Sequence, residues 1–376
     1  MPMTNSLYVH IPFCKRKCIY CNFYSRIYKE NEAADYLDAI LLELGKLTEP
    51  FETVYIGGGT PTAFSLPLLK KFMQGLARIS KDSVEFTFEA NPESADRDRM
   101  KMLLDYGVNR LSIGVQSLRD EKLKSLGRIH DADEAITSVT AAQRIGFENI
   151  SIDLIFGLSG EKPEKWKKEL EEAVRLPVKH ISCYELTYEK GTPLFGMLEN
   201  KVIAPLEDDA VANMYEVAID ELALRGLKQY EVSNFAKPGF ESHHNMNYWK
   251  NSSYLGLGAS AFSYDGETRS RNVSDACEYT RLVRGGKNVT EFSEKLPPER
   301  RAKETAAIKI RTREGINFNW FREKTGYDLE SLAKKAIPKL IDEGLIRYIR
   351  KEDEVTGIGL KRKGFLFCDT VSSSLL

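Results

Sequence analysis

The sequence predicts an α/β protein: a partial (β/α)6 barrel of the TIM-like kind, followed by a C-terminal winged-helix-like α+β module. Two observations predict it. From the N-terminus to about Ile181, short β-rich runs alternate with amphipathic helical stretches, which implies parallel strands joined by right-handed crossovers. After "KLPPER" the pattern changes to helices followed by a short hairpin. The expected divisions are residues 1–205 for the barrel, 206–297 for an extension carrying an "HNMNYW" loop and a Gly-rich strand, and 298–376 for the C-terminal module.

Strands are expected at Leu7–Ile11, Thr53–Ile56, Val84–Glu89, Arg110–Val115, Asn149–Ile155 and His180–Glu185. The stretches Glu32–Lys46, Leu66–Ile79, Asp96–Asp105, Asp131–Ile145 and Glu164–Leu176 have helical periodicity and fill the gaps between them. A long helix follows at about Glu207–Arg225. "LKQYEVSNFAKPGFESHHNMNYW" reads as a loop rich in aromatics and amides, and "YLGLGASAFSY" as a last strand with close backbone approach. Helices are expected over Arg300–Arg311, Asn319–Lys324 and Asp328–Glu343, then a hairpin of Leu345–Ile349 and Thr356–Leu360. In barrels of this kind chemistry gathers where strands end, so functional motifs should follow strands.

Composition narrows the function. The chain has 376 residues, 42% apolar and 29% charged, with a formal charge of −1. That balance lacks the basic excess of a nucleic-acid binder, and none is expected as a partner. "GLKRKGFLF" and "RYIRKEDE" are basic but short, and read as solvated surface. No apolar run approaches the ~18 residues that span a bilayer. The first residues lack a basic-then-apolar signal pattern, so a cytoplasmic location is expected. Cys183, Cys277 and Cys368 are scattered and read as small hydrophobes.

The other three cysteines sit in "HIPFCKRKCIYCNF" with the spacing Cys14-x3-Cys18-x2-Cys21. No fourth Cys or His follows at zinc-ligand spacing. Three thiolates on a loop after a strand suit a 4Fe–4S cluster whose fourth iron stays open to a ligand. Lys15, Arg16 and Lys17 stand between the first two cysteines, where their charge is expected to favour thiolates. His10 is expected to pack or hydrogen-bond within its strand. "YIGGGTPT" follows the next strand, and its glycines are expected to leave N–H groups open to a ligand. Glu89 in "FEANPE", Gln116 in "LSIGVQS", Arg128 in "LGRIHDADEA" and Asp153 in "ISIDLIFGL" fall at or near successive strand ends; a lone carboxylate such as Asp153 in an apolar strand needs a partner.

The cysteine spacing resembles that of the radical S-adenosylmethionine (SAM) superfamily, and the likeness extends over most of the chain. The resemblance implies that the open iron chelates the amino and carboxylate groups of SAM, and that an electron from the cluster breaks a carbon–sulfur bond to give a 5′-deoxyadenosyl radical. Within that superfamily the chain resembles the oxygen-independent coproporphyrinogen III oxidase group. By that resemblance Tyr8, Tyr20, Gly58, Gly59, Thr60, Glu89, Gln116, Arg128 and Asp153 bind SAM. The oxidases carry a longer N-terminal arm and a further cysteine two positions after the third, where this chain has Phe23. Both departures point instead to the HemW-type heme chaperones, and "HNMNYW" is similar to their HNxxYW heme-binding motif. That likeness implies heme contact by His244, Tyr248 and Trp249, with the adjacent His243 as a competitor. Ser159 and Phe262 stand where relatives usually have Pro and His. The expected cofactors are therefore a 4Fe–4S cluster, SAM and heme, and the expected partners are heme-acceptor proteins and an electron donor. Peripheral membrane contact and a homodimer stay open. The competing readings are the coproporphyrinogen oxidase and a radical SAM enzyme that modifies RNA.

Overall fold

The computed structural model describes residues 5–376. All six strands that the alternation predicts are present: β1 (Ser6–Ile11), β2 (Thr53–Gly58), β3 (Glu85–Ala90), β4 (Arg110–Gln116), β5 (Asn149–Phe156) and β6 (His180–Glu185). They lie side by side in chain order, each parallel to the next. The crossovers contain α1 (Glu30–Leu44), α2 (Leu66–Leu76), α3 (Arg97–Asp105), α4 (Asp120–Ser125), α5 (Ala132–Ile145) and α6 (Pro163–Ala173). Local chemistry sets their ends. Ser65 and Asp96 cap α2 and α3, and Asp131 with Glu134 forms a capping box on α5.

Strand period decides what fills each side. Leu7, Val9, Ile11, Val54, Ile56, Phe86, Phe88, Ile113 and Ile152 face the helices and are fully buried in the main apolar core. The opposite face carries Tyr8, His10, Tyr55, Glu85, Glu89, Arg110, Asp153 and His180. A closed barrel interior is usually packed with branched aliphatics; this one is lined with hydrogen-bonding groups.

Three further elements extend the sheet. The helices α7 (Pro193–Glu199) and α8 (Asp208–Leu224) lead to β7 (Lys228–Gln229) and β8 (Asn234–Ala236), which pair antiparallel beyond β6. At the other edge, β9 (Leu255–Leu257) lies parallel to β1. The nine-stranded order is β9-β1-β2-β3-β4-β5-β6-β8-β7. The Gly-rich run expected to be one strand is therefore divided: Leu255–Leu257 joins the barrel, and β10 (Phe262–Tyr264) turns away to a small antiparallel sheet with β11 (Thr268–Asn272) and β12 (Thr290–Lys295).

The HNMNYW segment is a second correction. It is a helix, α9 (His243–Trp249), rather than a loop. Its residues have little intrinsic preference for a helix, and tertiary contacts hold it. Ser242 caps it, and the carboxylate of Glu85 at the start of β3 accepts from Ser242 Oγ (3.0 Å), His243 N (2.9 Å) and His244 N (3.0 Å). This plugs the barrel at the N-terminal ends of its strands. Arg110, 2% exposed, lies with its Nε 4.0 Å from Glu85 and without a hydrogen bond on that atom.

The helix α10 (Ala276–Arg284) packs against α1. The C-terminal module contains α11 (Pro298–Lys309), β13 (Ile316–Asn317), α12 (Phe318–Thr325), α13 (Leu329–Leu332) and α14 (Ala336–Asp342). The strands β14 (Ile346–Lys351) and β15 (Glu354–Leu360) form the expected hairpin, with β13 added beside β15. The helix expected over Asp328–Glu343 is broken into α13 and α14. Pro338 falls in the first turn of α14, where its missing N–H is tolerated, whereas in a continuous helix it would break the ladder.

Replacing Glu85 with Ala removes the carboxylate that accepts three hydrogen bonds from the start of α9 and leaves Arg110 without its carboxylate. A loss of about 3–5 kcal/mol is expected, as for breaking a buried ion pair from one side; denaturant unfolding of the purified variant measures it.

Candidate functional site

The cysteine loop leaves the C-terminal end of β1 and is strapped down on both sides. Arg26 N donates to Pro12 O (2.6 Å) and Tyr28 N to Cys14 O (2.8 Å), which closes the loop on itself. Leu194 N donates to Ile19 O (2.9 Å), which ties it to the start of α7. Cys14, Cys18 and Cys21 are free thiols, each half-buried. Among the described residues no three metal-donor side chains surround one ion position. Three thiols on one loop, with no fourth Cys or His at zinc-ligand spacing, suit a cluster in which each sulfur takes its own iron.

Burial pushes the Cys14 thiol up to about 11 and raises Cys21 as well. The basic triplet does little against this. Lys17 has a small opposing effect on Cys21, while the hydroxyl of Thr60 is what chiefly favours the Cys14 thiolate. Lys15, Arg16 and Lys17 all point to solvent. Of the triplet, Lys17 favours the Cys21 thiolate as expected, although burial outweighs it.

The glycine run also has a different role from the one its sequence suggests. Its N–H groups are already used: Gly58 N donates to Glu89 Oε2 (3.1 Å), Gly59 N to Ile11 O (2.8 Å) and Thr60 N to Phe13 O (2.7 Å). The glycines are needed for space. A Cβ on Gly59 would lie 2.7 Å from Phe13 O and 3.0 Å from Cys14 Sγ, and Gly58 has φ 112° against the His10 ring. Thr60, expected at the ligand, is 2% exposed and is occupied with Cys14 and with Asn91, whose Nδ2 lies 2.7 Å from its Oγ1. The strand histidine behaves as expected: His10 bonds Tyr8 Oη (2.9 Å) and Tyr24 O (3.1 Å).

Around the glycine turn, inward side chains at the C-terminal halves of the strands are partly open while their outward neighbours are buried. Tyr8, Gly58, Gly59, Glu89, Gln116, Arg128 and Asp153 all share this state. Sequence reasoning missed Asn91, which joins the group: its Oδ1 accepts from Arg128 Nη2 (2.7 Å), and Arg128 also donates to Gly114 O (2.9 Å) and Cys18 Sγ (3.3 Å). Its position two residues after Glu89 at a strand end was the available signal. Tyr20, beside Cys18 and Arg128, has its phenol pushed up by burial. Gln116 has φ 64°, an unusual backbone state for a residue with a side chain. Two carboxylates set the electrostatics. Glu89 is pushed up to about 7, chiefly by burial and further by Asp153, although Tyr55 Oη (2.6 Å) and Gly58 N donate to it. Asp153 is raised by burial and accepts from Ser182. Ionisation of these two carboxylates would favour a cationic ligand. A sulfonium with an ammonium group has that charge, so the residues present fit SAM as well as the cluster.

The HNxxYW side chains are elsewhere. His244 is 1% exposed, and both its nitrogens are engaged, with Thr53 Oγ1 (2.8 Å) and Tyr248 Oη (2.9 Å). Its ring lies 5.1 Å from that of Tyr55, which carries the connection up to Glu89. Burial lowers its pKa to about 4. Both nitrogens of the imidazole are therefore engaged within the protein, and Tyr248 turns its hydroxyl to His244. Trp249 is half-buried, with its indole N–H unpartnered. Of the five histidines only His243 is exposed.

Comparisons with known proteins agree with this geometry. Residues 8–173 match the model of the radical SAM superfamily, and residues 296–367 that of the HemN C-terminal domain. A radical SAM domain implies a 4Fe–4S cluster and SAM. The heme chaperone HemW of Bacillus subtilis is 36% identical over 91% of this chain and 92% of its own length. HemW of Lactococcus lactis is 34% identical over 95% of this chain and 94% of its own length; HemW of Escherichia coli is 39% identical over 68% and 69%. The crystal structure of Escherichia coli coproporphyrinogen III oxidase, HemN, superposes with a TM-score of 0.83 over 98% of this chain and 89% of that one, at 22% identity. That likeness shows the fold, with its α/β barrel and C-terminal module. Among the described residues no helix is long and apolar enough to cross a membrane.

Glu89 makes the site pH-dependent. Its folded-state pKa lies above the unfolded value of about 4.3, so protonated Glu89 stabilises the empty barrel at low pH, and that contribution disappears as pH rises through about 7. Binding of SAM should run the other way and strengthen across the same range. Tyr55→Phe removes a donor to the carboxylate and should move the midpoint upward; anaerobic calorimetric titration with SAM between pH 5.5 and 8.5 measures both.

Proposed function

The chain belongs to the HemW family of the radical SAM superfamily, and on that premise we propose that it binds heme and passes it to acceptor proteins. The observation that carries the reading is the near full-length similarity to heme chaperones of two bacteria, together with Phe23 where the oxidases have a further cysteine. In this reading Cys14, Cys18 and Cys21 hold three irons. When bound, the cluster supplies one electron at a time and an iron at which the amino acid end of SAM chelates.

The chain's own residues prepare that site. Glu89 and Asp153 present negative charge to the cationic nucleotide. Arg128 joins the cluster loop, through Cys18, to the strand ends, through Asn91 and Gly114 O. Tyr8 and Tyr20 form walls, and Gly58 and Gly59 allow the loop to approach. Because the phenol of Tyr8 is tied to His10, its contribution is apolar surface and shape rather than proton transfer. An external electron donor is part of the proposal.

For heme, the motif divides into two roles. His244 and Tyr248 hold the plug of the barrel, and any histidine coordination drawn from this segment falls to the exposed His243. The test is heme titration of the wild type, His243→Ala and His244→Ala, each with and without a reconstituted cluster. Wild type should develop a Soret band with saturable stoichiometry. His243→Ala should lose that spectrum at unchanged stability, and His244→Ala should lose stability first. Absence of saturable heme binding by the wild type overturns the chaperone reading. Anaerobic conversion of coproporphyrinogen to protoporphyrinogen by the same preparation would replace it with the oxidase.

A further inference from the structure

Lys15, Arg16 and Lys17 have little effect on the thiols, Lys17 on Cys21 being the one that is felt, and packing does not explain them. All three are exposed. Among the described residues none of them forms an ion pair with a carboxylate; Lys15 Nζ is held by a backbone oxygen, Glu93 O, at 2.8 Å. Carboxylates near the loop are turned elsewhere: Glu93 Oε2 to His130 Nδ1 (3.2 Å), Glu189 Oε2 to Asn22 Nδ2 (3.3 Å), and Asp275 and Glu32 to Arg26 (3.1 Å each). On the same loop Phe23 is 71% exposed, an apolar side chain with nothing over it. The chain as a whole carries a charge of −1, so this positive patch is local and has a defined direction.

We propose that Lys15, Arg16, Lys17 and Phe23 form the docking surface for an acidic one-electron carrier protein. The inference rests on the radical SAM reading, in which an electron must arrive from outside. The triplet is the stretch of chain between Cys14 and Cys18, so a partner seated on it is separated from the sulfurs by a single layer of backbone. Exposed positive charge on the loop that also carries the exposed Phe23 matches an acidic partner in sign, and small, polar, short-lived contacts are characteristic of redox encounters. One electron leaves the carrier's iron–sulfur centre, which is oxidised, and the cluster is reduced; no bond or proton is exchanged in this step. The outward charge thus steers encounter, while the buried sulfurs stay under the control of Thr60 and Arg128.

The test uses a reduced acidic 2Fe–2S ferredoxin as probe and the triple variant Lys15→Glu/Arg16→Glu/Lys17→Glu. Affinity is measured by calorimetry on the cluster-free protein at low and high salt, and reduction of the reconstituted cluster by stopped flow, with ferredoxin and with dithionite. Wild type should bind ferredoxin at low salt and release it at high salt. The variant should bind about tenfold or more weakly and accept electrons correspondingly slowly from ferredoxin, while its dithionite reduction and SAM affinity match the wild type. Equal ferredoxin binding by the two proteins, no binding by the wild type, or a parallel loss of dithionite reduction in the variant overturns the proposal. So does salt-sensitive binding of single-stranded RNA that disappears in the variant while ferredoxin binding persists. Heme titration is independent of all these outcomes and separates this proposal from the chaperone reading.

Discussion

The polar lining of the barrel is the constraint on which the rest depends. Six parallel strands bury aliphatic side chains outward against the helices, and that leaves the inward positions to tyrosines, histidines, carboxylates and one arginine. Buried polar groups are costly unless each finds a partner. The structure meets this demand in two ways. At the N-terminal ends of the strands Glu85 and His244 are satisfied within the protein, Glu85 by α9 and His244 by Thr53 and Tyr248, while Arg110 Nε stays unpaired. At the C-terminal ends they are left partly open, with Glu89 and Asp153 short of positive charge. A protein that satisfies one end of its interior and leaves the other charged has thereby chosen where a ligand binds.

Much of this was legible in the sequence, because the signals were local. Strand–helix alternation gave the six parallel strands, since outward aliphatics repeat every second residue. Cysteine spacing marked the loop, and its position after β1 followed. Less legible was anything decided by contacts distant in sequence. The HNMNYW segment reads as a loop because its residues favour no helix, yet Glu85, about 160 residues earlier, imposes one. Asn91 attracts no notice as a residue type, but three-dimensional placement puts it between Thr60 and Arg128.

Two readings of residue type were correct in chemistry and limited by their surroundings. Positive charge beside a cysteine does lower its pKa, but from exposed side chains the effect is outweighed by burial of the sulfur. The Cys14–Cys18 turn sends them outward. Glycine does free the backbone for a ligand, but only where the N–H groups have no other acceptor. In the turn after β2 those groups are already bonded, and the missing side chains make room for Phe13 and Cys14. Spacing in a sequence says which groups are near each other; it does not say which way they point.

The plug formed by α9 has a consequence for traffic. With the N-terminal strand ends stoppered by a helix anchored through three hydrogen bonds, the polar interior faces outward at the opposite strand ends, where the sulfur-bearing loop forms part of the rim. A small ligand seated there and a larger one at the rim would share one approach.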